Sequence, residues 1–223
     1  MPYVEGGLET AGVGQALHER ADLFVSPVLS AGDDLLGLGI HGREADQPPE
    51  DRLRREHGRL DVLVNNAGTV VDRLAADTTA VEMRHTFEVN VFGVVTVIHA
   101  MLPLLRASLA PRIVNVSSTT ASLGLTSGGA DFGGDAERRI AYSSSKTALN
   151  MLTVQYAHAF AKDPGLSHIK INSATPGYTA TDLTGHRGTR TVEEGARVIV
   201  DLATLDSAGP TGGFFNDQGR VPW

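Results

Sequence analysis

The sequence contains no cysteine among its 223 residues. Disulfide bridges, thiolate metal sites and thiol nucleophiles are therefore excluded, and cysteine usage gives no information about the redox compartment. Positive charge is also scarce, because 19 lysine and arginine residues are outnumbered by 26 aspartate and glutamate residues, for a formal net charge of −7. The basic residues are scattered and form no stripe, so we expect no nucleic-acid partner and favour a small-molecule one.

The first residues lack a positively charged region followed by an apolar stretch, which argues against a secretory signal peptide. We therefore expect a cytoplasmic protein. The longest nearly uncharged stretch, residues 89–105, contains Asn90, His99 and Pro103 and is shorter than the roughly 20 residues needed to span a membrane. We interpret it as a buried helix and expect no membrane association. The eight histidines show no ligand spacing with carboxylates, so we also expect no metal site.

Length and a hydrophobic content of 41% fit one globular domain, and we predict a single domain over residues 1–223. From about residue 52 onward, apolar runs of strand length alternate with helical patterns. Strands are predicted at 60–64, 112–116, 168–172 and 213–215, and helices end at 57 and cover 81–105, 142–161 and 191–205. This alternation predicts an α/β fold with three layers, in which a doubly wound, mostly parallel sheet is covered by helices on both faces.

Tyr142 and Lys146 lie four residues apart in a predicted helix and therefore share one face, with Cβ atoms roughly 5 to 6 Å apart. A free tyrosine has a pKa of about 10, so its phenolate must be favoured by roughly 4 kcal/mol to titrate near neutrality. A neighbouring ammonium acts in that direction. Taken alone, such a pair is usually two unrelated residues on a solvated helix. Its context includes Ser117 and Ser118 after an upstream strand and Asn90 inside the apolar helix.

Five segments in this chain, in this order, resemble the short-chain dehydrogenases/reductases. They are Leu60-Asp-Val-Leu-Val-Asn-Asn-Ala-Gly68, Phe87-Glu-Val-Asn-Val-Phe-Gly93, Arg112-Ile-Val-Asn-Val-Ser-Ser118, Ala141-Tyr-Ser-Ser-Ser-Lys146 and Thr175-Pro-Gly-Tyr-Thr-Ala-Thr-Asp182. The C-terminal residues 209–215 and 221–223 look like the carbonyl-reductase branch. The resemblance covers residues 52–223 and implies a Rossmann-like fold. It also implies an NAD(P)-dependent oxidoreductase that transfers hydride between a nicotinamide cofactor and a small carbonyl or alcohol substrate, with NADP favoured over NAD by the carbonyl-reductase likeness.

The resemblance implies catalytic roles for four residues. Tyr142 would be the general acid/base, and Lys146 would lower its pKa and hold the nicotinamide ribose. Ser118 would hydrogen-bond the reacting oxygen. The family's motif alone selects it over Ser117, and both could equally be turn residues at the end of a strand. Asn90 would hold a water that returns the proton, although a buried asparagine is equally explained by a backbone partner. Cofactor contacts are expected from Asn65, Asn66, Ala67, Gly68, Tyr142, Lys146, Pro176, Gly177, Thr179 and Thr181.

The resemblance stops at residues 1–51, where glycines and prolines interrupt every segment long enough for a central strand or a full helix. The best strand candidates there are 23–25 and 35–40. The family's first strand and its Thr-Gly-x-x-x-Gly-x-Gly phosphate loop are degenerate or missing, with Gly7 and the segment 12–14 as competing remnants. The alternative interpretation is therefore a non-catalytic or cofactor-impaired member of the fold: a scaffold, a binding protein, or a truncated or frame-shifted product. A third interpretation is an epimerase or dehydratase that uses the same residues.

The stretch between Ser118 and Tyr142 is about twice as long as the family's usual connection. We predict that its Gly-rich part, residues 128–139, forms a rim over a substrate cleft. Its charged residues, including Asp131, Asp135 and Glu137, are interpreted as solvated. The segment could also obstruct a helix-to-helix dimer, so the sequence leaves both a monomer and a homo-oligomer open.

Overall fold

The computed structural model describes residues 23–25, 49–133 and 136–223. Within these residues, six strands form one sheet in sequential order. They are β1 (Leu23–Val25), β2 (Val62–Asn65), β3 (Arg112–Val116), β4 (Lys170–Ala174), β5 (Phe214–Asn216) and β6 (Gly219–Arg220). Strands β1 to β5 pair in parallel and β6 pairs antiparallel with β5. The predicted mostly parallel sheet is confirmed.

Helices connect the strands and follow the predicted alternation. They are α1 (Pro49–Glu56), α2 (Ala80–Phe87), α3 (Val94–Ala107), α4 (Leu123–Ser127), α5 (Ile140–Lys162) and α6 (Val192–Ala203). A π-helical stretch, Glu88–Gly93, joins α2 to α3, so one helical run extends over residues 80–107. Short 3₁₀ turns occur at Ala75–Asp77, Thr119–Ala121, Ala136–Arg138 and Asp182–Thr184.

The two faces of the sheet carry separate apolar layers, because successive side chains of a strand point to opposite sides. Leu63 and Ile113 pack with α1, α3 and α5 in one cluster. Val64 and Val114 pack against α6 in the other. The three-layer arrangement predicted from the alternation is thus confirmed, and it leaves the carboxyl ends of β2, β3 and β4 at one edge.

The helical run 80–107 is, in the described part of the chain, the one segment long and apolar enough to cross a membrane by length and composition. Its apolar face is buried within the protein, where Ile98, Met101 and Leu105 pack in the core beside the sheet. This is the packing of a core helix, as predicted for residues 89–105.

Helix ends follow local chemistry at three places. Gly58 follows α1 with a φ of +70°, a left-handed conformation that favours glycine. Thr79 opens α2 and Thr191 opens α6, each in a capping box with the glutamate three residues later. Helix α5 differs, since Arg139 at its N-cap position makes no side-chain capping hydrogen bond.

Some boundaries differ from the sequence prediction. β2 begins at Val62 rather than at 60, because the Leu60 amide donates to the Leu104 carbonyl at 3.0 Å instead of joining the ladder. β4 lies two residues later than predicted, because turns continue through Ile169, whose amide donates to Leu166. The strand candidate 23–25 is confirmed as β1. The candidate 35–40 and both glycine remnants lie outside the described residues.

Candidate active site

A cavity of about 650 Å³ opens at the carboxyl ends of β2, β3 and β4. Ligands of open parallel sheets bind at this edge. Its walls come from the loops after these strands, the segment before α5, the first turns of α5, the turn at 181–184 and α6. The predicted site residues that line it are Asn66, Gly68, Ser118, Tyr142, Lys146, Pro176, Gly177, Thr179 and Thr181.

Tyr142 and Lys146 lie in the first two turns of α5 and are both buried. The Lys146 ammonium is 5.8 Å from the centre of the Tyr142 ring, so the shared helix face expected from their spacing is confirmed. Lys146 Nζ donates to the Val116 carbonyl at 2.7 Å. This bond fixes the ammonium at the end of β3, between the tyrosine and the sheet.

Burial sets the electrostatics of the pair. It raises the pKa of Tyr142, while a hydrogen bond with Ser118 and the positive charge of Arg139 act in the opposite direction. Burial also lowers the pKa of Lys146 to about 8. The sequence suggested that Lys146 is the cation that favours the phenolate. In the structure the Lys146 ammonium donates to the Val116 carbonyl and lies 5.8 Å from the centre of the Tyr142 ring, and Arg139 is a second cation that lines the same cavity.

The two serines after β3 have different surroundings. Ser117 is 2% exposed and its hydroxyl donates to the Lys146 carbonyl at 3.4 Å. The Ser118 hydroxyl acts to lower the pKa of Tyr142, and its Oγ hydrogen-bonds Thr120 Oγ1 at 3.0 Å and accepts from the Thr120 amide at 3.4 Å. The hydroxyl that faces Tyr142 is therefore that of Ser118.

Asn90 lies in the π-helical stretch, fully buried, and does not line the cavity. Its Nδ2 donates to the Thr69 carbonyl and to Ser145 Oγ, both at 2.9 Å. Its Oδ1 accepts from the Thr69 amide at 2.8 Å. Asn90 thus fastens the loop after β2 to α5. A Cβ on Gly68 would lie 3.4 Å from Lys146 Nζ and 3.6 Å from Asn90 Oδ1, so the glycine keeps the space between these two groups open.

Asn65 and Ala67 were predicted to contact the cofactor, but both are buried and neither lines the cavity. Asn65 Nδ2 donates to Asn115 Oδ1 at 2.8 Å, and Asn115 Nδ2 donates to Thr153 Oγ1 at 2.9 Å. Thr153 and Ser173 share a hydrogen bond of 2.8 Å. This row of polar side chains links β2, β3, α5 and β4 beneath the cavity. The signal for it in the sequence is a polar residue inside each of three apolar strands.

The segment after β4 turns sharply and then pairs with itself. Gly177 has a φ of +75°, and Thr179 forms a parallel bridge with Arg190. Thr179 Oγ1 donates to the Pro176 carbonyl at 3.3 Å. The bridge closes residues 181–188 into a short loop that we call the lid, and it holds Thr179 against the cavity.

Several further residues line the cavity, some from the predicted rim and some that the sequence did not single out. Asp131, Phe132 and Gly133 line the cavity, as the predicted rim over the cleft requires. Arg139, which was not singled out, also lines it. Asp135 lies outside the described residues. Tyr178 and Leu183 contribute further wall, and little in their local sequence distinguishes them from ordinary turn residues. Within the described residues, no three histidine, aspartate or glutamate side chains are grouped as metal ligands.

Comparison with known proteins gives consistent matches. Residues 50–192 match the model of a family described as short chain dehydrogenase. Short-chain dehydrogenase anuI of Penicillium roqueforti is 38% identical over 158 residues, 70% of this chain and 61% of that protein. The chain therefore spans less than two thirds of that relative. Carbonyl reductase [NADPH] 1 of Bos taurus is 30% identical over 220 residues, 83% of this chain and 78% of the relative.

Solved structures resemble the chain over most of its length. Salutaridine reductase from Papaver somniferum superposes with a TM-score of 0.60 at 26% identity, covering 75% of this chain and 76% of that one. The NADPH-bound carbonyl reductase from chicken fatty liver superposes with a TM-score of 0.69, covering 97% of this chain and 84% of that one. Its identity of 21% makes this second match a statement about the fold alone.

Proposed function

Because this chain belongs to the short-chain dehydrogenase family of oxidoreductases, we propose that it interconverts a small-molecule carbonyl and the corresponding alcohol with NADP as cofactor. The observation that carries the proposal is the convergence of Ser118, Tyr142 and Lys146 on one cavity at the carboxyl edge of the sheet. Support for NADP comes from the relatives that are named as NADPH enzymes.

The described residues fit the nicotinamide and ribose end of such a cofactor. Lys146 has Val116 as its acceptor among them, which leaves N–H donors for ribose hydroxyls. The residues that would hold this end are Tyr142, Lys146, Pro176, Gly177, Thr179 and Thr181, with Asn66 and Gly68 toward β2. When bound, the nicotinamide supplies a hydride to the carbonyl carbon or accepts one in the reverse direction.

Tyr142 is proposed to donate its hydroxyl proton to the carbonyl oxygen during reduction. Its raised pKa keeps the free site protonated near neutral pH, which is the form that a general acid needs. Ser118, which lines the same cavity as Tyr142, is proposed to donate to the same oxygen and stabilise the negative charge that develops there.

Lys146 and Asn90 are proposed to return the proton to Tyr142. A lysine with a pKa of about 8 loses and regains a proton readily near neutral pH. The space that Gly68 leaves between Lys146 Nζ and Asn90 Oδ1 is suited to a water that both groups can hydrogen-bond. Asn90 also acts as a positioning residue, since it fastens the backbone of Thr69 to α5.

The Tyr142→Phe variant tests the acid role. We expect NADPH-dependent reduction of a panel of aldehydes and ketones to fall by about 10² to 10⁴-fold. NADPH affinity, followed by nicotinamide fluorescence, should stay within a few-fold, because the phenyl ring keeps the shape of the site. The measurement is the initial rate of NADPH oxidation at saturating cofactor.

Tyr156→Phe provides the matched control. Tyr156 lies on the same helix but packs against Phe160 and is absent from the cavity wall, so its turnover should equal that of the wild type. Turnover by Tyr142→Phe at the wild-type rate would contradict the assignment of Tyr142 as the proton donor.

A further inference from the structure

Arg139 occupies an unfavourable place by the rules of helix formation. It stands at the N-cap of α5, without a side-chain capping bond and with no acidic residue in the first turn. The positive end of a helix dipole disfavours a cation. Helices α2 and α6 instead begin with capping boxes. Departures of this kind from local preference are expected at functional sites.

An ion pair and a backbone bridge fix Arg139 despite this local cost. Its Nε donates to Asp72 Oδ1 at 3.2 Å, and its side chain is 12% exposed. The backbone of Arg73 forms a parallel bridge with Arg139, and the Arg73 amide donates to the Arg138 carbonyl at 2.7 Å. Arg73 is in turn held by Glu82 Oε1 at 2.9 Å. The loop after β2 and the first turn of α2 therefore hold the guanidinium in place.

Arg139 lies close in the fold to the reacting tyrosine. Arg139 and Tyr142 line the same cavity, three residues apart across the first turn of α5. An arginine keeps its charge at every accessible pH, and a partly buried charge acts more strongly than an exposed one. Lys146, the other cation of the cavity, donates to the Val116 carbonyl, and burial lowers its pKa to about 8.

We propose that Arg139, held by Asp72, is a positioning residue that supplies the permanent positive charge acting on the Tyr142 hydroxyl. The inference deepens the proposed function, since it concerns the residue assigned as proton donor. It also assigns a role to the long segment before α5, which places the guanidinium as well as forming a rim. The other ionisable groups that line the cavity are Asp131, Lys146 and Asp182. Further ionisable groups lie on the elements that pack beside α5, namely Asp72 in the loop after β2 and Glu82, Arg84, His85 and Glu88 in and directly after α2.

A fluorinated tyrosine introduced at position 142 tests this without cofactor or turnover. Its phenol is more acidic than that of tyrosine, so its ionisation can be followed by near-ultraviolet absorbance while the protein stays folded. In this background Arg139→Gln should raise the pKa of residue 142 by about 0.5 to 1, as expected for the loss of a screened charge nearby. Arg139→Lys, which keeps the charge, should restore at least half of that difference.

Arg138→Gln is the matched control, because Arg138 contributes its backbone carbonyl to the bridge and that group is retained. It should leave the titration unchanged. An unchanged titration in Arg139→Gln would overturn the proposal, as would equal effects of Gln and Lys at 139, which would make the role one of shape. Absence of carbonyl reduction in the wild type would count against the proposed function alone, since the titration needs no substrate.

Discussion

Lys146 is almost completely buried, with 3% of its surface exposed. Among the described residues its ammonium has one carbonyl acceptor, that of Val116. Burial lowers its pKa from the ordinary 10.5 to about 8. Between these two pH values the unfolded chain binds more protons than the folded one, so stability rises with pH across this interval. Below pH 8 the folded protein carries the full cost of the buried charge.

The Lys146→Met variant should lack this pH dependence. In the wild type, Lys146 contributes a rise in unfolding free energy of about 2 kcal/mol between pH 8 and pH 10. The measurement is urea-induced unfolding at the two pH values, without cofactor. Lys162→Met, an exposed lysine at the end of the same helix, should behave like the wild type. An equal rise in Lys146→Met would show that the ammonium is solvated in the folded protein.

Spacing in the sequence predicts which side chains meet on one helix, but not which side chains meet across distant segments. The four-residue separation was enough to place Tyr142 and Lys146 together, because helix geometry is local. Arg139 escaped notice because its partner Asp72 is 67 residues away in the sequence, and no local rule connects them. Asn65 was assigned to the cofactor by motif, whereas its hydrogen bond to Asn115 depends on how two strands align.

At the scale of elements, helix boundaries were predictable where a cap marks them and strand boundaries were less so. The predicted helix start at residue 191 agrees with the N-cap of α6, where Thr191 and Glu194 form both reciprocal hydrogen bonds of a capping box. β4 was placed two residues early because Asn172 and Ser173 lowered the apolar character of its real centre. Their polar groups are satisfied within the core, by Gly213 and Thr153, which only the folded structure reveals.

The two ends of the lid approach each other closely, with Thr179 and Ala180 on one side and Gly188 and Arg190 on the other. We call this place the neck. A Cβ at Gly188 would overlap the backbone of Thr179 and Ala180, where the Ala180 amide donates to the Arg190 carbonyl at 2.9 Å. Gly188→Ala should therefore separate the two sides of the neck. We expect faster amide hydrogen exchange at Ala180 and Arg190, and an unfolding free energy lower by about 1 to 3 kcal/mol.

Gly185→Ala is the comparison variant within the same lid. Gly185, unlike Gly188, has a positive φ, of 58°, and the nearest atom to a Cβ there is 3.9 Å away. Its cost should be limited to about 1 kcal/mol of backbone strain, with the neck amides still protected. Similar exchange in both variants would contradict a neck that is closed by packing.

At the scale of the whole molecule, the alternation of strands and helices after residue 52 was sufficient to predict the layered parallel sheet. It could not predict how β1 joins it, because Leu23–Val25 is short and followed by proline. β1 pairs with β2 next to the loop that carries Asn66 and Gly68. The pyrophosphate-binding part that the family places after its first strand falls on residues outside those described.

The pyrophosphate-binding part of the chain distinguishes the two main interpretations of the protein, an NADP-dependent oxidoreductase and a cofactor-impaired member of the fold. A site with Ser118, Tyr142 and Lys146 in place can serve an oxidoreductase only if the chain holds a dinucleotide. A cofactor-impaired member of the fold would keep the same side chains and fail at this step. Cofactor binding therefore distinguishes the interpretations before any substrate is known.

The most direct test of whether the chain binds a dinucleotide is titration of the purified full chain with NADPH, followed by nicotinamide fluorescence. We expect saturable NADPH binding with a dissociation constant between about 1 µM and 1 mM, the range usual for enzyme ligands. We expect NADH to bind more weakly. Lys146→Met should weaken NADPH binding, because the ribose loses its ammonium partner. Fluorescence that shows no saturation at millimolar NADPH would contradict the assignment of this chain as an NADP-dependent oxidoreductase.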